Sequence, residues 1–491
     1  MKFTDFEKLA IQYNLIPVYE IITADLLTPV LAYLKLRDKA KHCFLLESVE
    51  GKEAIGRYSF IGKDPKKFFL NHGENIKVIE DGNETTFKEN LFDFIRREMN
   101  LRRFPCLEEL PFFTGGLVGY IGYENIALIE NTVDFGSYET ENPDSILGLY
   151  ETIIAFDHYK HQIILITNVS IDGNKSPEEA YLSARKKLSE LRKELSTPVS
   201  FKSDFHLTGE VKSNLSSAEF KSLVEESKER IAEGDIFQIV LSKRFSSGYK
   251  GDLLNVYRAL RILNPSPYMY FLEYPEDLTV IGTSPENLVK VKNRMAETMP
   301  IAGTRKRGKT PQEDMELELD LVNDPKEQAE HVMLLDLGRN DLGRVCRYNS
   351  INVVQQMTVQ RYSHVMHMVS RVEGRLEETK DCVDALKACF PAGTVTGAPK
   401  IRAMQLIKGY EKSSRNIYAG AIGHIDFSGN LDVCIAIRTM FANGKEIRWQ
   451  AGAGIVADSI SELEDKEIRN KSEVLYRALI YAGEIDDEME E

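Results

Sequence analysis

Cationic excess is missing from this chain, and so are clustered cysteines, long apolar runs and any familiar nucleotide loop. Lys and Arg number 62 against 76 Asp and Glu, a net charge of −14. A nucleic-acid binder needs a net basic face, so the balance argues against that class. The six cysteines, at 43, 106, 346, 382, 389 and 434, include no C-x-x-C pair. That excludes a zinc ribbon or disulfide framework and suits free thiols in a reducing compartment. No apolar run approaches the ~18 residues that a membrane span needs. The opening stretch, MKFTDFEKLAIQYNLIP, has two acids and no long apolar core, unlike a signal peptide. A soluble cytoplasmic protein is expected. There is no Walker loop, no strand-following G-x-G-x-x-G, no G-x-S-x-G elbow and no cysteine in a nucleophile's local context.

What is present is globular: 491 residues, 43% hydrophobic and 28% charged, enough for one large domain or two intertwined ones. Residues 1–195 read as a strand-rich part, with hairpins at Asp81-Gly82 and through TIIAFDHYKHQIILITNVS, then a charged helix from SPEEAYLSARKKLSELRKEL. The polar stretch STPVSFKSDFHLTGEVKSNLSS is the best linker candidate. Residues 215–485 form the second part, opening with a helix capped by Ser216 or Ser217 and stopped at Gly234. Later, IYAGAIGHIDFSGNLDVCIAIRTMFANGKEIRWQAGAGIV reads as a β-meander, and Ser461-x-x-Glu464 as a capping box opening a last helix. Strand clusters broken by helices, without βαβ alternation, predict an α+β fold with large antiparallel sheets.

Several constellations could carry chemistry. Asp324-Pro325 caps a helix that sets Glu327 and Glu330 on one face, and SISELEDKEIRNK does the same with Glu464 and Glu467. Acids favour first turns through the helix dipole, and that bland reading stands beside a Mg²⁺ site, which needs one or two carboxylates. Gly452, Ala453 and Gly454 follow a predicted strand, and Gly393 and Gly397 precede a basic helix start; exposed N–H groups at such turns can bind a carboxylate. Arg438, inside the apolar run CIAIRTM, needs an anionic partner, either structural or a ligand. His367 alternates with apolar residues, which suits a satisfied core histidine or a titrating catalyst. In PIAGTRKRG a Gly303-Thr304 corner precedes Arg305, Lys306 and Arg307, which points to a small anion.

Seven motifs in order, DIFQIVLSKRF, NPSPYMYFLE, IGTSPENLVKV, PIAGTRKRG, EHVMLLDLGRNDLGR, GTVTGAPKIRAM and QAGAGIVADSISELEDKE, closely resemble the chorismate-utilising enzymes, and within them the anthranilate-forming branch. The resemblance is dense over residues 215–480 and sparser earlier, through LLES, GRYSFIG and TGGLVGYIGYE. It implies that family's sandwich of antiparallel sheets with flanking helices. It also implies Mg²⁺ on Glu330 and Glu467, with Glu327 and Glu464 as neighbours acting through water. Chorismate contacts would fall on Gly303, Thr304, Tyr418, Arg438 and Gly452, Ala453 and Gly454. The acid–base and polar catalytic positions would be His367, Thr394 and Glu286. The implied reaction is amination of chorismate by ammonia and loss of pyruvate to give anthranilate, the first committed step toward tryptophan.

In relatives that make aminodeoxychorismate the third position of P-I-x-G-T is a nucleophilic lysine; here it is Ala302. In relatives that add water an activating lysine is expected where this chain has Gln238. Both point to direct attack by ammonia. The alternatives carried forward are the folate-branch aminodeoxychorismate enzymes and a non-catalytic amino-acid sensor with the same fold. The resemblance further implies a tryptophan site formed by LLES, with Ser48, and NPSPYM, with Pro267, Tyr268 and Met269, in the N-terminal regulatory part. It also implies a separate glutamine amidotransferase subunit as ammonia source.

Overall fold

The computed structural model describes residues 1–37, 40, 42–48, 56–133, 142–171, 173, 175–201, 204–361 and 365–485. The strands that build the sites are labelled β1 (Cys43–Glu47), β2 (Gln238–Gly251), β3 (Tyr268–Glu273), β4 (Thr279–Ser284), β5 (Ile301–Lys306), β6 (Val365–Arg375), β7 (Leu431–Ile435), β8 (Thr439–Ala442) and β9 (Glu446–Ile455). The helices are α1 (Pro311–Asn323), α2 (Pro325–Gly343), α3 (Lys400–Tyr410) and α4 (Ser461–Tyr481).

Two large antiparallel sheets carry the fold, which is α+β as the strand clusters broken by helices predicted. The first runs 15–23, 162–170, 152–157, 58–63, β1, β3, β4, β8, β9, β2 and 205–207. The second runs β5, β6, 295–298, 287–292, β7, 421–426, 116–121, 145–150, 67–72, 75–80 and 83–88. Both sheets draw strands from early and late sequence: β1 pairs β3, with Glu47 opposite Met269, and 116–121 pairs 421–426.

Apolar residues of both sheets, including Phe44, Tyr270, Val118 and Ile422, make one core between them. The outer face of each sheet is covered by helices, with Phe271 and Leu188 in one outer core and Val289 and Leu386 in the other. Strands such as Gly116–Ile121 and Ser145–Tyr150 are therefore buried on both faces and read as unbroken apolar runs.

The Asp81-Gly82 turn forms with both residues at positive φ, 51° and 81°, as a tight hairpin requires. Three other expectations fail. The proposed linker is not free chain: Phe205–Leu207 and Lys212–Ser213 pair with β2, because their alternating residues complete its edge. The meander is split, since β7 belongs to the second sheet and β8 and β9 to the first. Finally, Ile460 rather than Ser461 occupies the cap position of α4, and no side chain caps it.

Candidate active site

Asp324 accepts from the N–H groups of Lys326 and Glu327, and Pro325 opens α2, so this helix starts where the sequence signals it. α2 packs on β5 and β6, while α4 packs on β9. That arrangement turns the acidic starts of the two helices toward each other. Burial raises the Glu330 carboxyl, Glu327 and Glu467 raise it further, and Lys326 and Lys471 oppose them. Burial likewise raises Glu464, with Glu467 adding to the effect. Carboxylates from two helices that repel one another across a shared space want a cation between them.

Among the described residues no three His, Cys, Asp or Glu side chains gather tightly enough to cage an ion. Two carboxylates plus waters and an anionic ligand are nevertheless the set that Mg²⁺ takes. Glu330 and Glu467 fit it. Glu327 is otherwise engaged, 3.1 Å from Arg305.

Lys471, one turn beyond Glu467, lies 2.7 Å from that carboxylate and donates to the Gly452 carbonyl at 3.0 Å. It also acts electrostatically on Glu330 and Glu286. The sequence reading missed it, because Glu467 and Lys471 look like an ordinary i,i+4 surface pair.

The glycine motif differs from its expectation. Gly452, Ala453 and Gly454 lie within β9, opposite Ser242, Leu241 and Val240, so the ladder already engages this stretch. What the glycines supply is room. A Cβ on Gly452 would sit 2.5 Å from the Tyr418 hydroxyl, and one on Gly454 2.7 Å from the Gln238 amide nitrogen. Ala453 points the other way, into a core with Phe220 and Ile468. Burial pushes the Tyr418 phenol up to about 12, so it stays a neutral donor.

Gly303 sits at a break in register between β5 and β6 with φ of 69°, and a Cβ there would lie 3.0 Å from a Glu327 oxygen. Thr304 faces His367 across the ladder. The His367 Nδ1 lies 3.1 Å from the Gly303 carbonyl and 3.0 Å from the Thr304 hydroxyl. A carbonyl can only accept, which assigns the proton to Nδ1 and leaves the neutral ring's lone pair on Nε2.

Glu286 and Thr394 line one small cavity with Asn287, Thr298 and Gly338. Glu286 keeps some surface toward that cavity but is ringed by protein, and burial pushes its carboxyl up to about 7 against the Thr394 hydroxyl and Lys471. The Thr394 hydroxyl is buried without a hydrogen bond of ordinary geometry.

Arg438 is not in a strand. It has φ of 49° where the chain crosses from β7 in one sheet to β8 in the other, which explains an arginine in an apolar run. Its guanidinium reaches the Asn264 amide oxygen at 3.4 Å.

Against known proteins, a family model described as chorismate binding enzyme matches residues 41–477. The chain belongs to the chorismate-binding enzymes. It is 44% identical over 497 residues to an anthranilate synthase component 1 from Aquifex aeolicus, covering 99% of both chains. It is 42% identical to the Acetivibrio thermocellus protein of the same name, over 97% of this chain and 98% of that one. The crystal structure of anthranilate synthase component I from Streptococcus pneumoniae superposes with a TM-score of 0.76 at 37% identity, covering 92% and 98%. The menaquinone-specific isochorismate synthase of Escherichia coli, at 18% identity and a TM-score of 0.71 over 97% and 98%, shares the fold.

In this chorismate-binding enzyme the cationic knot has a structural answer. Arg305 bonds Asp320 at 2.6 Å and Asp324 at 2.9 Å as well as Glu327, and Arg307 holds Asp314 at 2.8 and 2.9 Å. The expected small anion is therefore replaced by the carboxylates of α1 and the start of α2, while Lys306 is exposed.

A second cavity lies between the sheets, lined by Ser48, Pro267, Tyr268, Met269, Tyr58, Phe60, Phe112, Asn287 and His424. β1 and β3 are neighbours, which brings LLES against NPSPYM. The Ser48 hydroxyl, the Asn287 amide oxygen and the His424 Nδ1 are buried without partners. The Tyr268 hydroxyl donates to Asp432 at 3.0 Å and accepts from the Asn287 amide at 2.8 Å. Met269 does not offer its thioether there. Alternation along β3 sends that side chain into the outer core with Phe271, leaving the backbone to line the cavity. Burial lowers the His424 imidazole to about 4, so it is neutral at pH 7.

Proposed function

We propose that this chain is the chorismate-aminating subunit of an anthranilate synthase, taking chorismate and ammonia to anthranilate, pyruvate and water. The observation that carries the choice within the family is the pair of positions that offer no amine. Ala302 is buried on β5 beside Gly303, and Gln238 lays its amide against Gly454. A lysine at the first would serve as a nucleophile and one at the second would activate water; here ammonia itself attacks.

Glu330 and Glu467 would hold Mg²⁺, which when bound supplies positive charge to the ring carboxylate of chorismate. Tyr418, Arg438 and Lys471 provide the donors and cations for the substrate's two carboxylates, and the missing side chains at Gly303, Gly452 and Gly454 admit the ring. Ammonia attacks C2 while the C4 hydroxyl departs. Glu286, protonated near pH 7, supplies the proton that lets the hydroxyl leave as water, and Thr394 orients that end of the substrate. In the second stage the ring loses its C2 proton and the enolpyruvyl group leaves as pyruvate. His367, whose Nδ1–H is fixed by the Gly303 carbonyl, presents Nε2 for that transfer.

The second cavity is read as a tryptophan site: aromatic walls suit an indole, and the three unpartnered polar atoms suit an amino acid's charged groups. Ammonia in the cell would come from a glutaminase subunit, so the chain alone uses ammonium and not glutamine. The test is product analysis with chorismate, Mg²⁺ and ammonium. Fluorescent anthranilate supports the reading; a non-aromatic amine would move the chain to the folate branch, and no turnover by clean protein would favour a sensor.

A further inference from the structure

Behind the site lies a fully buried ion pair that the chemistry above leaves unused. Glu411 follows α3, and Arg415 lies four residues further on in irregular chain; they are 5% and 3% exposed. The guanidinium forks onto the carboxylate, Nε to Oε2 at 2.8 Å and Nη2 to Oε1 at 2.7 Å. Two further N–H groups go to main chain: Nη1 to the Val395 carbonyl at 2.7 Å and Nη2 to the Val240 carbonyl at 2.8 Å. The same cation sits 4.8 Å from the Tyr123 ring centre and 5.6 Å from that of Tyr418, and the Tyr418 N–H donates to the Arg415 carbonyl at 3.1 Å. Glu411 in turn accepts from the N–H and hydroxyl of Ser242, at 2.9 and 2.7 Å.

Apart from Tyr123, each partner abuts or belongs to the candidate site. Val395 follows Thr394. Val240 lies opposite Gly454, and Ser242 opposite Gly452. Tyr418 is held directly, with its hydroxyl against Gly452. These pieces come from well-separated stretches of chain, and one ion pair touches all of them, Arg415 at Val395, Val240 and Tyr418 and Glu411 at Ser242.

We propose that Arg415 is a positioning residue for the reaction, locking the Thr394 turn, the Gly452–Gly454 strand and Tyr418 into one arrangement. Stability does not account for it. Burying two charges is costly, and apolar side chains of similar volume generally serve a fold as well or better. A guanidinium does what no apolar group can, since its planar donors fix two carbonyls and a carboxylate at once, and a lysine's ammonium lacks that fork. The inference rests on the assignment of Thr394, Tyr418 and the glycines to chorismate.

Two variants test it: Arg415→Lys, and the double replacement Glu411→Leu with Arg415→Met. Thermal unfolding is followed alongside ammonium-dependent kinetics at saturating Mg²⁺. At least one variant is expected to fold near the parent's Tm with kcat down roughly 100-fold, the scale of an ångström's misplacement. A displaced Thr394 would also stop holding down the Glu286 carboxyl, so the basic limb of the kcat profile should move to higher pH; Lys471 is the charged group facing Glu286, and neither variant alters it. Folded variants with kcat within about threefold of the parent, or an unmoved limb, would overturn the proposal. Failure of both to fold would overturn it too, by making the pair a fold-holding contact. Thr394→Val and Tyr418→Phe separate the two readings. If they behave as the parent, the site assignment has failed; if they are impaired while the Arg415 variants are not, only the positioning role has.

Discussion

Gly452→Ala adds one methyl group where the structure leaves none. The new Cβ would lie 2.5 Å from the Tyr418 hydroxyl, 2.9 Å from the Leu241 carbonyl oxygen and 3.2 Å from Val240. Restoring an ordinary 3.4 Å contact requires the hydroxyl to retreat by about 0.9 Å. Tyr418 cannot do so freely, being 6% exposed and packed beneath Arg415, and the Leu241 carbonyl belongs to the paired strand β2. Backbone strain plays no part, because Gly452 is not among the positive-φ residues. Alanine in a strand would gain about 0.5–1 kcal/mol over glycine, while overpacking of this kind costs about 1–3 kcal/mol. A net loss of up to about 2.5 kcal/mol follows, read by denaturant unfolding. Activity should fall further, by about 100-fold in kcat/KM for chorismate, measured by anthranilate fluorescence with ammonium as donor. Adding Tyr418→Phe removes the oxygen that is struck, so the double variant should regain stability without regaining activity. In the protein itself Gly454→Ala meets only the movable end of Gln238, so it should cost less stability than Gly452→Ala. The reasoning is refuted if Gly452→Ala keeps kcat/KM within threefold of the parent, or if the double variant is no more stable than the single.

Glu330→Gln and Glu467→Gln should each cut turnover by about 1,000-fold or more. Glu330→Gln should also raise the melting temperature of the metal-free protein, because that carboxylate is held against burial and two neighbouring acids; a variant that is both active and unshifted would contradict the assignment. Glu286 acts in its protonated form, so kcat, expressed per free NH₃, should decline as pH rises through about 7. Glu286→Gln should abolish that limb and lower the rate by about 10²–10⁴, and a limb that survives the substitution assigns the acid elsewhere. Ser48→Phe should fill the second cavity and relieve tryptophan inhibition while uninhibited turnover stays within about twofold; inhibition as strong as the parent's would remove tryptophan from that cavity.

Local grammar carried much of the fold. Asp324-Pro325 opens α2, Ser216 caps the helix that starts at Ser217, and Asp81-Gly82 turns its hairpin, because each is decided by neighbours in sequence. Misreadings arose where distant residues decide. The run through CIAIRTM has the period of a continuous strand, yet the sandwich needs the chain to change sheets there, and the left-handed turn at Arg438 does so. Arg305 and Arg307 look like an anion site until α1 and α2 deliver Asp314, Asp320 and Asp324. Ser461 and Glu464 have capping-box spacing, but the Glu464 carboxylate turns to the Ser459 hydroxyl, and Ile460 takes the cap position. The carboxylates of the candidate metal site were visible as pairs along each helix. Their meeting across the two helices, and the role of Lys471 between them, depended on how the sheets place α2 and α4.

The most direct test of the central claim follows the nitrogen. Purified chain is incubated with chorismate, Mg²⁺ and ¹⁵N-ammonium, and the product is identified by chromatography, fluorescence and mass. Direct attack by ammonia at a site without a lysine at Ala302 or Gln238 predicts ¹⁵N-labelled anthranilate, with pyruvate in equal amount. A labelled but non-aromatic amine, or a hydroxylated product carrying no label, would contradict it.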